Sequence, residues 1–202
     1  MISPIILKMN ILISGFEPFG TRDVNNSWEI AKRFEGCQRM DVCKIPVSFS
    51  RAHNFIIDAL KRKKYNLVIM LGETSVTSDY VRLERVAINY RDSSKPDNEG
   101  YIADDEAIVE NAPKAYFSTL PIKKYVSHLK ELGYQVKASN SGGTFVCNSV
   151  YYHVLRHLEE NGSVTAALFL HLPVATNIVS MEEMENVIGA ILSYFTNSFH
   201  HS

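Results

Sequence analysis

The sequence predicts an α/β fold, a single domain with a largely parallel (mixed) central sheet and helices on both faces. Two uninterrupted apolar runs, Leu67 to Leu71 and Ala166 to Leu170, read as strands buried on both faces, as parallel strands are. Strand-like and helix-like segments alternate along the chain, the pattern of helices laid over a sheet. The 202 residues, 46% hydrophobic and 21% charged, suffice for one sizeable core, and no stretch is long enough to cross a bilayer.

The elements follow in order. The apolar start through Ile13 reads as a strand; Lys8 and Asn10 interrupt it and no small-residue cleavage site follows, so it is not read as a signal peptide. Met9 restarts the sequence before Ile11-Leu12-Ile13, which makes 1–8 an expected extension, 9–197 the domain and 198–202 a frayed tail. Gly15, Pro18 and Gly20 make a turn-rich loop, and Asn26 with Glu29 has capping-box spacing for a helix through Phe34. Met40 to Val47 reads as a strand and Ser50 to Lys64 as a helix with Phe55, Ile56, Ala59 and Leu60 inward.

After the strand at Leu67 to Leu71, residues 72–115 form a long polar segment with only Arg85 to Tyr90 strand-like inside it. Long polar loops in compact domains usually serve function. Thr119 can cap a helix with Pro121 in its first turn, ending near Gly133, and Tyr134 to Ala138 supplies a strand. Ser141-Gly142-Gly143-Thr144 leads into a helix to about Glu160, striped by Val150, Tyr151, Val154 and Leu158. Ala166 to Leu170 is the last strand, and Ser180-Met181-Glu182-Glu183 is a capping box opening a helix through Tyr194.

Charge and cysteine content narrow the function. With 21 Lys+Arg against 22 Asp+Glu the net charge is -1, which leaves no excess to draw nucleic acid or an anionic membrane. Cys37, Cys43 and Cys147 are too few for a disulfide framework, so a reducing, intracellular home is expected. Cys147 falls in the first turn of a helix, where free N–H groups and the helix dipole favour a thiolate. His171 ends an apolar strand and precedes Leu172-Pro173, a place from which it could take the thiol proton and later protonate a leaving amine. A Cys–His pair needs a third group to orient the imidazole, and Glu84, interrupting the apolar pattern of Val81 to Ile88, is the best carboxylate for that role. Each has an ordinary alternative: a small buried thiol, a core histidine bonded to backbone, and an ion pair of Glu84 with Arg82 or Arg85. His153 and His157 have metal-ligand spacing but fall on the polar side of their helix with no zincin glutamate, so metal binding is not expected. Lys61 to Lys64 reads as a solvated helix end.

Five motifs then point to one family. Ile13-Ser14-Gly15-Phe16-Glu17-Pro18-Phe19-Gly20, Glu84-Arg85-Val86-Ala87-Ile88-Asn89, Pro96-Asp97-Asn98-Glu99-Gly100, Ala115 to Pro121, and Ser139-Asn140 with Gly143-Thr144-Phe145-Val146-Cys147-Asn148 resemble, in order, those of pyroglutamyl peptidase I, also called pyrrolidone-carboxylate peptidase. The resemblance implies a cytoplasmic, cofactor-free and metal-free cysteine peptidase that removes N-terminal pyroglutamate from peptides through a thioacyl-enzyme, as a homo-oligomer (dimer or tetramer). It maps the triad onto Cys147, His171 and Glu84, and the lactam pocket onto Phe16, Phe19, Phe145 and Val146, with Asn25 as a polar or loop-fixing residue. The alternative is a relative that binds N-capped peptides without cutting them.

The chain departs from the family pattern at three places. Glu73 stands where a neutral amide is common, in a stretch Glu73 to Ser78 that replaces a Gln-Ala-Gly-Gly-Arg-like one, and would put an acceptor at the lactam unless it is protonated or turned away. Ser94 replaces an arginine, with Arg91 and Lys95 as substitutes, and the segment after His171-Leu172-Pro173 is shorter than usual.

Overall fold

The structure, a computed structural model, describes residues 9–74, 78–176 and 178–198. The expected extension at 1–8, residues 199–202 of the expected tail, and Ser75, Val76 and Thr77 lie outside the described residues.

The strands are β1 (Ile11–Phe16), β2 (Met40–Ile45), β3 (Leu67–Glu73), β4 (Val81–Glu84), β5 (Val86–Ile88), β6 (Ala115–Phe117), β7 (Val136–Ser139) and β8 (Ala166–Leu172). The helices are α1 (Asn26–Ala31, continued by a 3-10 turn at Lys32–Phe34), α2 (Ala52–Arg62), α3 (Ile122–Glu131), α4 (Val146–Glu160) and α5 (Met181–Ser198). Six strands form one sheet in the order β2-β1-β3-β8-β4-β7, parallel at every pairing except the antiparallel β4–β8 pair. The short β5 and β6 pair antiparallel beside it. The predicted mixed sheet is therefore observed.

Alternation along each strand divides the core into two layers. Ile11 and Ile13 of β1 face one side, where α1, α3 and α5 bury Ile30, Tyr125, Leu129, Val187 and Ile191. Leu12 faces the other, where α2 and α4 bury Ile56, Val150, Tyr151, Val154 and Leu158. A strand buried on both faces cannot alternate apolar with polar, which is why β3 and β8 read as continuous apolar runs. Gly15 permits the tight joint between β1 and α1: a Cβ there would stand 2.3 Å from the Ser27 carbonyl oxygen.

Several expectations are corrected. Residues 72–115 are not one loop: β3 runs on to Glu73, and Val81–Glu84 is a full sheet strand that the polar reading missed. The chain leaves the main sheet after Glu84, so the expected strand from Arg85 to Tyr90 is only Val86–Ile88 in the small sheet. Thr119 does not cap α3; its hydroxyl accepts the Ala167 N–H and ties the loop to β8. Phe55, expected inward, is 38% exposed because the helix turns that position toward a surface groove while Ile56 and Ala59 face the core.

Candidate active site

Three neighbouring strands and one helix start build the site. Gly72 of β3 and His171 of β8 are register partners, and His171 is also the partner of Arg82 on β4. Register partners project to the same face, so Gly72, His171 and Arg82 all look toward α4, as does Glu84 two residues beyond Arg82. Cys147 is the second residue of α4, and a Cβ on Gly72 would lie 2.9 Å from its sulfur. The thiol therefore rests directly on the glycine beside His171, with the strands about 4.8 Å apart. Glycine is required here for closeness; no side chain could share the space.

The first turn of α4 is pinned from outside the helix. Phe145 ends the preceding loop in extended backbone and makes no side-chain cap bond. Asn148 accepts the Ile88 N–H at 3.0 Å and donates to the carbonyls of Ile88 and Tyr90 at 2.9 and 3.0 Å, which locks the turn to β5. Burial pushes the Cys147 thiol up to about 12, with the Glu84 charge acting in the same direction, while its own backbone N–H and Arg82 act against them. The thiolate expected from the helix address alone is thus opposed by desolvation, and a base is needed at the moment of attack.

His171 stands on the strand beside Gly72, on the face that the thiol rests against. Its Nδ1 lies 2.8 Å from Oε1 of Glu84, which is completely buried. A carboxylate can only accept, so Nδ1 carries the proton and Nε2 is left as the acceptor for a neighbouring thiol. The Phe169 ring packs beside the imidazole at 4.9 Å between centroids. The alternative of a surface ion pair for Glu84 is excluded by this burial; Arg85 instead donates to Asn140. Oε2 of Glu84 has no hydrogen-bond partner among the described residues.

The predicted pocket residues gather in the same layer. Phe16 and Val146 are buried there, and Phe19, Phe145 and Cys147 pack partly exposed against it. Phe19 and Phe145 touch at 5.1 Å between centroids, and Phe145 packs edge-on against Phe49, which the sequence reading missed, also at 5.1 Å. Phe19, Asn25, Glu73, Lys95 and Pro96 line a cleft of about 590 Å³. Asn25 is a loop-fixing residue: it caps α1 through the Ser27 N–H and donates to the Glu17 carbonyl. The Glu73 carboxylate is turned to the chain itself, one oxygen paired with Arg22 and the other accepting the Asn26 N–H at 2.9 Å.

The Pro-Asp-Asn-Glu-Gly loop holds these walls. Asp97 is buried and accepts the N–H groups of Phe49, Glu99 and Tyr101, while Asn98 donates to Glu17 and to the Pro18 carbonyl. Of the two substitutes for the missing arginine, Arg91 pairs with Glu106 and lies over Phe49 and Tyr101, and Lys95 lines the cleft. His153 is not on a polar face as expected. It stacks on His53 of α2 at 3.8 Å, because α2 packs across that side of α4.

Residues 9–191 match the family model described as pyroglutamyl peptidase. The chain is similar to the pyrrolidone-carboxylate peptidase of Thermococcus kodakarensis, 39% identical over 82% of this chain and 81% of the relative. It is 34% identical to that of Bacillus subtilis over 83% of this chain and 79% of the relative. Among solved structures, the pyrrolidone carboxyl peptidase of Fervidobacterium islandicum superposes with a TM-score of 0.86 at 30% identity, covering 94% of this chain and 99% of that one. Pyroglutamyl peptidase I of Bacillus amyloliquefaciens also gives 0.86, at 28% identity, covering 94% and 98%.

Proposed function

The chain belongs to the pyroglutamyl peptidase family, and on that premise we propose that it is a cysteine-type peptidase hydrolysing the bond after an N-terminal pyroglutamyl residue, with Cys147, His171 and Glu84 as its triad. The observation that carries the residue roles is the run of thiol over Gly72, imidazole on the next strand and buried carboxylate on the one after.

Nε2 of His171 takes the proton as Cys147 Sγ attacks the pyroglutamyl carbonyl, and Glu84 holds the imidazolium that forms. Backbone N–H groups at the start of α4, that of Cys147 included, receive the oxyanion. Collapse breaks the C–N bond, and the departing amine of the next residue leaves with the proton from His171. A water deprotonated by His171 then attacks the thioester, releasing pyroglutamate and returning the thiol.

Specificity rests on the walls. Phe16, Phe19, Phe145 and Val146 suit a neutral lactam, and an ordinary N-terminal ammonium would lose its hydration against them, while the Glu73 carboxylate of the cleft is already engaged by Arg22 and the Asn26 N–H. Glu73 contributes as a strut for the cleft through Arg22 and Asn26. No helix among the described residues is long and apolar enough to cross a membrane; a cytoplasmic setting is carried by the family resemblance. Homo-oligomerisation follows from the family resemblance.

The test is thiol-dependent release from a pyroglutamyl chromogenic amide, run beside the matching prolyl amide and a Cys147→Ser variant. Cleavage of the first substrate only, abolished in the variant, is expected. No release from the pyroglutamyl amide by the unmodified chain would overturn the proposal.

A further inference from the structure

The strand face that carries His171 and Glu84 also bears an arginine that the triad does not use. Arg82 sits on β4, two residues before Glu84 and on the same face, as the register partner of His171. Its Nη2 donates to Oγ1 of Thr74 at 2.6 Å. Thr74 follows β3, and β8 lies between β3 and β4 in the sheet. The guanidinium therefore reaches from beside His171 across the carboxyl end of β8 to the residue that follows β3, two positions beyond the glycine on which the thiol rests. Its Nε is buried and has no acceptor among the described residues.

We propose that Arg82 is a positioning residue for the nucleophile: strapped across β8, it supplies the positive charge that offsets Glu84 and lets Cys147 give up its proton. The inference rests on the proposed role of Cys147. The charged and titratable groups around the sulfur are Glu84 and Arg82 from β4 and His171 from β8, with Gly72 of β3 bringing none. A fully buried carboxylate and a developing thiolate place two like charges in one apolar layer, and such a site needs a compensating cation. His171 serves Cys147 as its proton acceptor, so a separate, fixed cation is needed to offset Glu84. Arg82 remains charged at every stage.

The experiment reads Cys147 without substrate. Alkylation rates with neutral iodoacetamide and anionic iodoacetate are measured at fixed pH on the full chain, with Cys147 modification followed by peptide mass spectrometry. Arg82→Gln is expected to slow iodoacetamide about tenfold, the effect of roughly one unit in thiol acidity, and to lower the iodoacetate-to-iodoacetamide ratio. Arg82→Lys, which keeps the charge, is expected to retain most of both, and kcat for a pyroglutamyl amide is expected to fall in Arg82→Gln more than KM changes. If Arg82→Gln does not fold, Arg82→Met, which keeps the aliphatic stem, takes its place. Unchanged rate and ratio in the neutral variant, or equal losses in the lysine variant, would overturn the inference. Failure of the unmodified chain to cleave pyroglutamyl substrates would count against the peptidase proposal and leave the alkylation result standing on its own.

Discussion

At the scale of single residues, the site depends on what is missing at position 72. The thiol is held between the first turn of α4 and the backbone of Gly72, and a methyl group there would stand 2.9 Å from both Sγ of Cys147 and Cζ of Phe169. Neither neighbour can swing clear, since one is a short side chain fixed by the pinned helix start and the other is a buried core ring. Gly72→Ala should therefore displace the sulfur from His171 by a few tenths of an ångström while leaving the sheet paired. The expected result is a fall in kcat/KM of about 10- to 100-fold, the scale at which small misplacements act, together with a lowered melting temperature, since overpacking a site whose neighbours cannot move aside typically costs about 1–3 kcal/mol. Wild-type turnover in a folded Gly72→Ala variant would show that the thiol does not rely on this contact. The motif around Cys147 announces a nucleophile in the sequence; Gly72 carries no comparable signal, because its role exists only once β3, β8 and α4 meet.

At the scale of elements, α1 shows how a short helix can shape a cleft it does not fill. Its six residues are held at the N-terminus by Asn25, whose Oδ1 accepts from the Ser27 N–H and hydroxyl, and by Glu73, which accepts the Asn26 N–H. Ser27 in turn accepts the Phe16 N–H, linking the cap to the end of β1. Asn25→Ala should cost about 1 kcal/mol, the usual loss for an N-cap, and raise KM more than it lowers kcat; calorimetry and steady-state kinetics read the two effects separately. The elements differ in how legible they were. β3 and β8 were plain because burial on both faces leaves an unbroken apolar run, and the stripe of α4 was plain because its helical period matches one buried face. β4 was hidden: in four residues it carries a half-buried Arg82 and a fully buried Glu84, two charges that an apolar strand pattern does not announce. That local misreading fell on the strand that brings the carboxylate to the imidazole. Glu84 was nevertheless found, since a lone carboxylate in an apolar pattern is itself a signal. The position of Phe55 and the stacking of His153 were not legible, because both depend on the angle at which α2 crosses α4, and periodicity does not encode that angle.

At the scale of the whole molecule, the catalytic turn is only as firm as the α2–α4 layer behind it, and that layer contains a titratable joint. His53 and His153 stack at 3.8 Å with their planes 15° apart, and Nδ1 of His53 is buried without a partner among the described residues. Burial lowers the pKa of both rings; the Arg91 charge adds to this at each, and His153, also opposed by His53 and Arg156, falls to about 3. The folded state therefore binds fewer protons than the unfolded chain, whose histidines titrate near 6.5. The sign follows: the stack contributes its full stability above about pH 6.5 and loses it progressively as pH falls toward 3. The carboxylates held low, Asp41, Glu99 and Glu106, add their own acid sensitivity only near and below their ordinary range of about 4. Between pH 7 and 5 the histidines should thus dominate, lowering stability by on the order of 1–2 kcal/mol. His153→Phe keeps a ring against His53 but cannot be protonated. Chemical denaturation at pH 7 and pH 5 should show a smaller loss in this variant than in the parent, and equal losses would place the acid sensitivity elsewhere in the molecule. Because α4 carries both His153 and Cys147, the same acid step should loosen the helix that presents the nucleophile before the sheet beneath it yields.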